Sequence, residues 1–293
     1  MSSARPRRSA LYVPGHNARA VEKARSLPAD VLIFDLEDAV APAVKEEARG
    51  LVLAELARGG FGHRERVVRV NGATTPWGAG DLEAVARAPV DAVLLPKVEG
   101  PREVGDAERR LAALATPPSV ALWAMLETPR GVLRAADVAG AGGRLACLVA
   151  GTSDLVKDLH ARHTPRRLEV LTALSLVVLA ARAHGLAALD GVHLDLADDA
   201  GFEAACEQGV DLGFDGKTLV HPKTIAPANR LFAPSAEAVA HARRVIEAHA
   251  EAVARGIGVV VVDGRLVESL HVLEARRVME LGEAVAALGP TCP

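Results

Sequence analysis

The chain has 293 residues, 50% of them hydrophobic, 24% charged and only 3% aromatic. Its 34 Lys and Arg against 37 Asp and Glu leave a net charge of −3, without the basic field a nucleic-acid binder needs, and so few aromatics make base-stacking platforms implausible. That composition excludes a disordered chain; the length fills one large core or two ordinary ones, built from small aliphatic side chains.

The basic start, MSSARPRRSA, runs into SALYVPG instead of a long apolar stretch, so no secretory signal is expected. SALYVPG (9–15) reads as a short strand and loop, and VLIFDLEDAV (31–40) as a buried strand that turns acidic. VVRVNG (67–72), DAVLLPKVEG (91–100) and VALWAMLETP (120–129) repeat the arrangement. LACLVAG (145–151), ALDGVHLD (188–195) and FDGKTLVHP (214–222) continue it. Each apolar run is short and ends in Gly, Pro or polar residues, and stretches rich in Ala, Leu, Glu and Arg separate most of them. Eight strands with helical crossovers are the count of a closed α/β (β/α)8 TIM barrel; an open doubly wound sheet is the alternative. The most apolar helical run, Val170 to Ala181, has 12 residues and cannot span a bilayer. A soluble, cytoplasmic protein with neither membrane nor nucleic-acid partner is expected. Cys147, Cys206 and Cys292 form an odd set without metal spacing, which suits reduced thiols.

After residue 222 the pattern changes. An N-capped helix is predicted from about Ser235 to Arg255, stopped by Gly256, then a strand or hairpin over 258–268 and a last helix over 270–287. The reading is a catalytic barrel domain over 1–230 and an extension over 231–293 that caps the site or a neighbouring subunit.

The apolar strands end in charge. Asp35, Glu37 and Asp38 follow the second, Arg69 and Asn71 the third, Lys97 the fourth, Glu127 the fifth and Asp154 the sixth. In a barrel those ends converge on one rim, whereas a merely solvated surface would put charges on the helices. Glu127 and Asp154 lie 27 residues apart, on neighbouring units, and two carboxylates with open positions suit Mg2+. The bland readings are a helix N-terminal acid for Glu127 and an N-cap for Asp154. Arg69 on an apolar strand needs a partner: one of the acids at 35, 37 and 38, or a substrate carboxylate gripped bidentately. Glu37 and Asp38 suit a water network around a metal or the orientation of Arg69. Lys97 is read as an electrostatic or ion-pairing residue. Lys217, His221 and Lys223 are read as rim packing or weak phosphate contacts, His221 more as a hydrogen-bonded structural residue than a catalytic one, and neither a P-loop nor a GxGxxG is present.

Taken together, SALYVPG, DLEDAVAP followed by Lys45, RVNG, LLPKVEG, LETPRG, GTSDL and GFDGKTLVHPKTI resemble the citrate lyase beta-chain family, which includes malyl-CoA and citramalyl-CoA lyases. The resemblance runs from about residue 8 to 286. It implies a (β/α)8 barrel, commonly trimeric or hexameric, whose C-terminal segment reaches over a neighbouring active site. It also implies Glu127 and Asp154 as Mg2+ ligands, Arg69 on the substrate's acyl oxygens, Glu37 and Asp38 supporting metal waters, and Thr128 and Pro129 beside the substrate. The family's tail often carries an aspartate in a GKMVD-like motif, where it acts as acid/base for the adjacent subunit. Here GRLVES puts Glu268 there, one methylene longer, and a misplacement near 1 Å can cost about a hundredfold in rate. Thr224 stands where the family often has Gln.

The implied reaction is Mg2+-dependent carbon–carbon cleavage of a malyl-, citramalyl- or citryl-CoA type ester, giving acetyl-CoA or propionyl-CoA and a 2-oxo acid. Three alternatives remain: a malyl-CoA thioesterase, the beta subunit of a citrate lyase complex, and a non-catalytic protein that binds a CoA ligand. Arg19, Arg25 and Lys45 are the candidates for CoA phosphates.

Overall fold

A computed structural model describes residues 5–288. Eight parallel strands close into a barrel in sequence order: β1 (Ser9–Pro14), β2 (Val31–Asp35), β3 (Glu65–Arg69), β4 (Ala92–Leu95), β5 (Ala121–Leu126), β6 (Leu145–Ala150), β7 (Ala187–Asp190) and β8 (Gly216–Leu219). The first and last strands pair through Ser9 and Lys217, so no sheet edge is left in the barrel and the doubly wound alternative is excluded. All eight predicted strands are present, each shorter than the apolar segment that announced it.

Strand pleating sends alternate side chains inward. The inner core holds Ala10, Ile33, Val67, Leu94, Trp123, Met125, Cys147, Val149 and Leu189. Trp123 is fully buried and fills volume that Ala10 and Ala92 leave open, which is how a chain with few aromatics packs a barrel. Below it the Arg7 guanidinium lies 5.2 Å from the Trp123 ring and pairs with Glu65 at 2.7 Å.

Outward-facing strand residues pack on the helices. Lys217, expected at the rim, is instead fully buried behind the wall, where its Nζ donates to Asp190 Oδ2 at 2.7 Å. Pleating decides this: Thr218 and Val220 face the cavity, so Lys217, the residue before Thr218, must face out. Arg167 donates to the same carboxylate. Burial alone would raise the Asp190 carboxyl, and the charges of Lys217 and Arg167 outweigh it, holding it below the usual carboxylate range. His221 is exposed and accepts from Lys223 N–H at 3.1 Å, while Lys223 pairs with Asp199 at 2.6 Å.

The described chain resolves into two compact units, Arg7–Asn229 and a second formed from Arg230 onward with residues 5–6. In the second, Ser235 caps the helix Ala236–Ala254 by accepting from Ala238 N–H, and Gly256 follows at φ +75°. A hairpin of β9 (Val260–Val262) and β10 (Arg265–Val267) leads into the helix Ser269–Ala287. The small core of this unit is built on Val245, Val262, Val267 and Val272. Among the described residues no helix is long and apolar enough to cross a membrane. Cys147 and Cys206 are free and buried, and Cys292 lies outside the described residues.

Replacing Asp190 with Ala strands Lys217 and Arg167 without their carboxylate, and breaking a buried pair from one side costs about 3–5 kcal/mol. Urea unfolding is expected to show a loss near that size. Lys217→Met, which leaves Asp190 paired with Arg167, is expected to lose clearly less. Equal losses would contradict this account of the triad.

Candidate active site

The site begins with a register. Asp35 at the end of β2 pairs with Arg69 at the end of β3, both on the inner face, so the two side chains meet. Arg69 Nε donates to Asp35 Oδ1 at 2.7 Å and Nη2 to Oδ2 at 2.6 Å. The same carboxylate accepts from the backbone N–H groups of Glu37 at 2.9 Å and Ala39 at 3.1 Å, which folds the acidic loop back over the barrel mouth. Lys45 ties the loop from behind, its Nζ donating to the carbonyls of Leu36 at 3.0 Å and Glu37 at 2.8 Å. Asn71 Nδ2 also donates to Leu36 O at 2.8 Å, and to Asp81.

Arg69 is therefore gripped bidentately by Asp35 and not left free to grip a substrate in that way. Its remaining Nη1 lies 3.0 Å from Glu37 Oε2 and 3.6 Å from Asp38 Oδ2, and its guanidinium carbon sits 4.8 Å from the Tyr12 ring centroid. Only that edge of the guanidinium remains for a ligand.

The second half of the site comes from β5 and β6, which are hydrogen-bonded neighbours. Glu127 follows β5, is 3% exposed, and accepts from the Lys97 backbone N–H at 2.8 Å. Gly151, directly after β6, makes room for it: a Cβ at 151 would fall 2.3 Å from Glu127 Cβ and 2.8 Å from its Oε2. Asp154 occupies the first turn of the helix Thr152–Asp158, so it is not the N-cap, and pairs with Lys157 at 2.9 Å. Glu127 does not cap a helix either; Thr128 does, its Oγ1 accepting from Gly131 N–H at 3.1 Å ahead of Pro129.

Lys97 joins the two halves. Its backbone takes φ +51°, a left-handed conformation rare for a side chain larger than Asn. Its Nζ lies 2.5 Å from Glu37 Oε1, 3.4 Å from Asp154 Oδ2, 3.8 Å from Asp38 Oδ1 and 3.9 Å from Glu127 Oε1. Burial works against the ammonium, but Glu37 and Glu127 outweigh it and raise the Lys97 pKa. Burial pushes Glu127 up to about 8, with Lys97 opposing and the charge of Glu37 adding. Glu37 is raised by burial too, against Arg69 and Lys97. Asp154 is drawn down by Lys157 and Lys97, which overcome its partial burial.

Asp38, Arg69, Glu127 and Asp154 line one cavity of about 360 Å3, with Tyr12, Thr218 and other strand-end residues completing its wall. Thr128 and Pro129 do not belong to that lining, because the hydroxyl of one caps the helix that the other begins. Of the phosphate candidates, Lys45 is buried in its loop, Arg25 pairs with Glu22 and Glu55, and Arg19 is exposed. Glu268 belongs to the C-terminal unit, where it is the N-cap of the helix Ser269–Ala287 and its N–H donates to His271 Nδ1 at 3.0 Å. Tyr12, Gly151 and Thr218 were not singled out as site residues. The alternation of inner-face positions along β1 and β8 is the signal that selects Tyr12 and Thr218; nothing in the sequence announces the close approach at Gly151.

Among the described residues no three His, Cys, Asp or Glu side chains form a metal-holding group. Glu127 and Asp154 nevertheless line the same cavity with a cation between them, the Lys97 ammonium. An oxygen-only pair with room for water fits a hard divalent ion such as Mg2+, which keeps several waters when bound.

Residues 8–222 match the model of the HpcH/HpaI aldolase/citrate lyase family. A (3S)-malyl-CoA thioesterase of Cereibacter sphaeroides is 50% identical over 284 residues, 97% of each chain. The citrate lyase subunit beta of Escherichia coli is 39% identical over 284 residues, 95% of this chain and 94% of the relative. Among solved structures, CitE from Mycobacterium tuberculosis in complex with magnesium, acetoacetate and coenzyme A superposes with a TM-score of 0.75 at 31% identity. That superposition covers 97% of this chain and all of the other. With a barrel closed in sequence order, acids gathered at its mouth and full-length relatives at these identities, the chain belongs to the HpcH/HpaI aldolase/citrate lyase family.

Proposed function

We propose that this protein is a Mg2+-dependent enzyme that cleaves a 3-hydroxyacyl-CoA of the malyl type. The observation that carries the reading is the convergence of Glu127, Asp154 and Arg69 on one cavity from three separate strand ends. Glu127 and Asp154 would hold the ion, and a Lewis acid there would polarise substrate oxygens without proton transfer. The magnesium and coenzyme A held by the CitE neighbour support a site that takes that ion and a CoA ester.

The chain's own residues supply the rest. Arg69, fixed by Asp35, presents Nη1 toward the cavity, a charge preorganised for oxygen that becomes anionic during the reaction. Glu37 and Asp38 border that edge and orient water and the guanidinium together. Glu268, at the start of its helix in the C-terminal unit, would act as acid/base in a neighbouring subunit of a homotrimer or hexamer, with residues 231–293 as the cap.

Two bond cleavages are open to such a site. In hydrolysis, water adds to the thioester carbonyl, the C–S bond breaks and the sulfur takes a proton, giving malate and free CoA. In retro-Claisen cleavage, the hydroxyl loses its proton, the C–C bond breaks to glyoxylate, and the acetyl-CoA enolate is protonated. The thioesterase relatives, 50% identical over nearly the whole chain, favour hydrolysis. The citrate lyase beta relatives at 39% favour carbon–carbon cleavage, alone or within a complex.

Incubation with Mg2+ and malyl-, citramalyl- or citryl-CoA, followed by mass detection, separates them. Malate with free CoA and no glyoxylate marks the thioesterase, a 2-oxo acid with a shorter acyl-CoA marks the lyase, and chelation is expected to abolish either. No turnover across the panel with Mg2+ present would leave a CoA-ligand binding protein and sink the enzymatic reading. Gly151→Ala is expected to displace Glu127, weakening Mg2+ binding by calorimetry and lowering kcat at least tenfold while the fold is retained by circular dichroism. Unchanged Mg2+ affinity would argue against Glu127 as a ligand.

A further inference from the structure

Among the described residues, Lys97 is the one side chain of the rim whose charged end approaches every carboxylate of the mouth except Asp35. Four of them lie within 4 Å of its Nζ: Glu37 at 2.5 Å, Asp154 at 3.4 Å, Asp38 at 3.8 Å and Glu127 at 3.9 Å. Its backbone is held at φ +51°, where a side chain with a Cβ is strained, and the Glu127 carboxylate accepts the Lys97 N–H in that strained turn. The same residue therefore presents its N–H to one oxygen of Glu127 and its ammonium to the space between Glu127 and Asp154. Side-chain exposure of 41% leaves the stem room to swing outward.

We infer that Lys97 is a placeholder cation, occupying the Glu127–Asp154 site in the metal-free protein and displaced when Mg2+ enters. This rests on the assignment of those two carboxylates as metal ligands. Two cations cannot share the position: an ion in contact with both carboxylates would stand within a few ångströms of the ammonium, and like charges at that range repel by several times thermal energy in a half-buried setting. The ammonium spares the carboxylates from facing one another uncompensated, and it makes Mg2+ binding an exchange of one cation for another. The exchange lowers the affinity for Mg2+ by the strength of the contacts that Lys97 gives up. Lys97 is in this sense a positioning residue, setting when the metal loads.

Calorimetric titration with Mg2+ alone, at fixed pH without substrate, compares the wild-type protein with Lys97→Met and Lys97→Gly. Methionine keeps the bulk and the strained backbone; glycine relieves the strain and guards against a folding failure. Both variants are expected to bind Mg2+ at least about tenfold more tightly, because the competing cation is gone. Thermal unfolding is expected to show a lower midpoint than wild type for metal-free Lys97→Met and a larger gain on adding Mg2+. Equal or weaker Mg2+ binding in both variants, with wild type binding normally, would overturn the placeholder role and leave the ligand assignment standing. Absence of Mg2+ binding in all three proteins would overturn both.

Discussion

Everything at the barrel mouth hangs on the contact between Asp35 and Arg69. Burying two charges side by side is costly, and their attraction offsets that cost only when geometry and further hydrogen bonds are good. Here both guanidinium donors meet both carboxylate oxygens, and two backbone N–H groups complete the carboxylate. Those two N–H groups belong to the acidic loop, so one ion pair orients the arginine and shapes the loop that carries Glu37 and Asp38. Lys45 and Asn71 then clamp the loop from the other side through its carbonyls.

The electrostatic consequence is local and opposite to what net charge suggests. The whole chain carries only −3, yet Asp35, Glu37, Asp38, Glu127 and Asp154 gather at one end of the barrel. Arg69, Lys97 and Lys157 oppose them. A surplus of acid around a small cavity is a field for a divalent cation. Burial and the charge of Glu37 push Glu127 up to about 8 against Lys97 and Arg69, so a cation at the site would favour its ionised form.

Opposite this polar mouth, the barrel interior is mostly apolar. Trp123, the Arg7–Glu65 pair beneath it and the Asp190–Lys217–Arg167 triad behind the wall fix strands whose ends must hold charges in place. A site assembled from separate strand ends depends on such a frame, because a shift near 1 Å in any one strand would spoil the common geometry.

The sequence by itself determined the fold and the roster of charges. Eight short apolar runs with helical spacers match the strand count of a closed barrel, and pleating plus the rule that strand ends share one rim brings Asp35, Arg69, Lys97, Glu127 and Asp154 into one neighbourhood. The capped helix at Ser235 and the hairpin after it were legible from local chemistry alone. Only the tertiary structure decided who pairs with whom. The register of β2 and β3 gives Arg69 to Asp35 instead of leaving its fork free, and pleat parity sends Lys217 behind the wall, away from the rim. The left-handed turn at Lys97 aims its ammonium among the carboxylates, and the missing side chain at Gly151 lets Glu127 lie where it does. These are matters of distance between residues remote in sequence, which periodicity and composition do not encode.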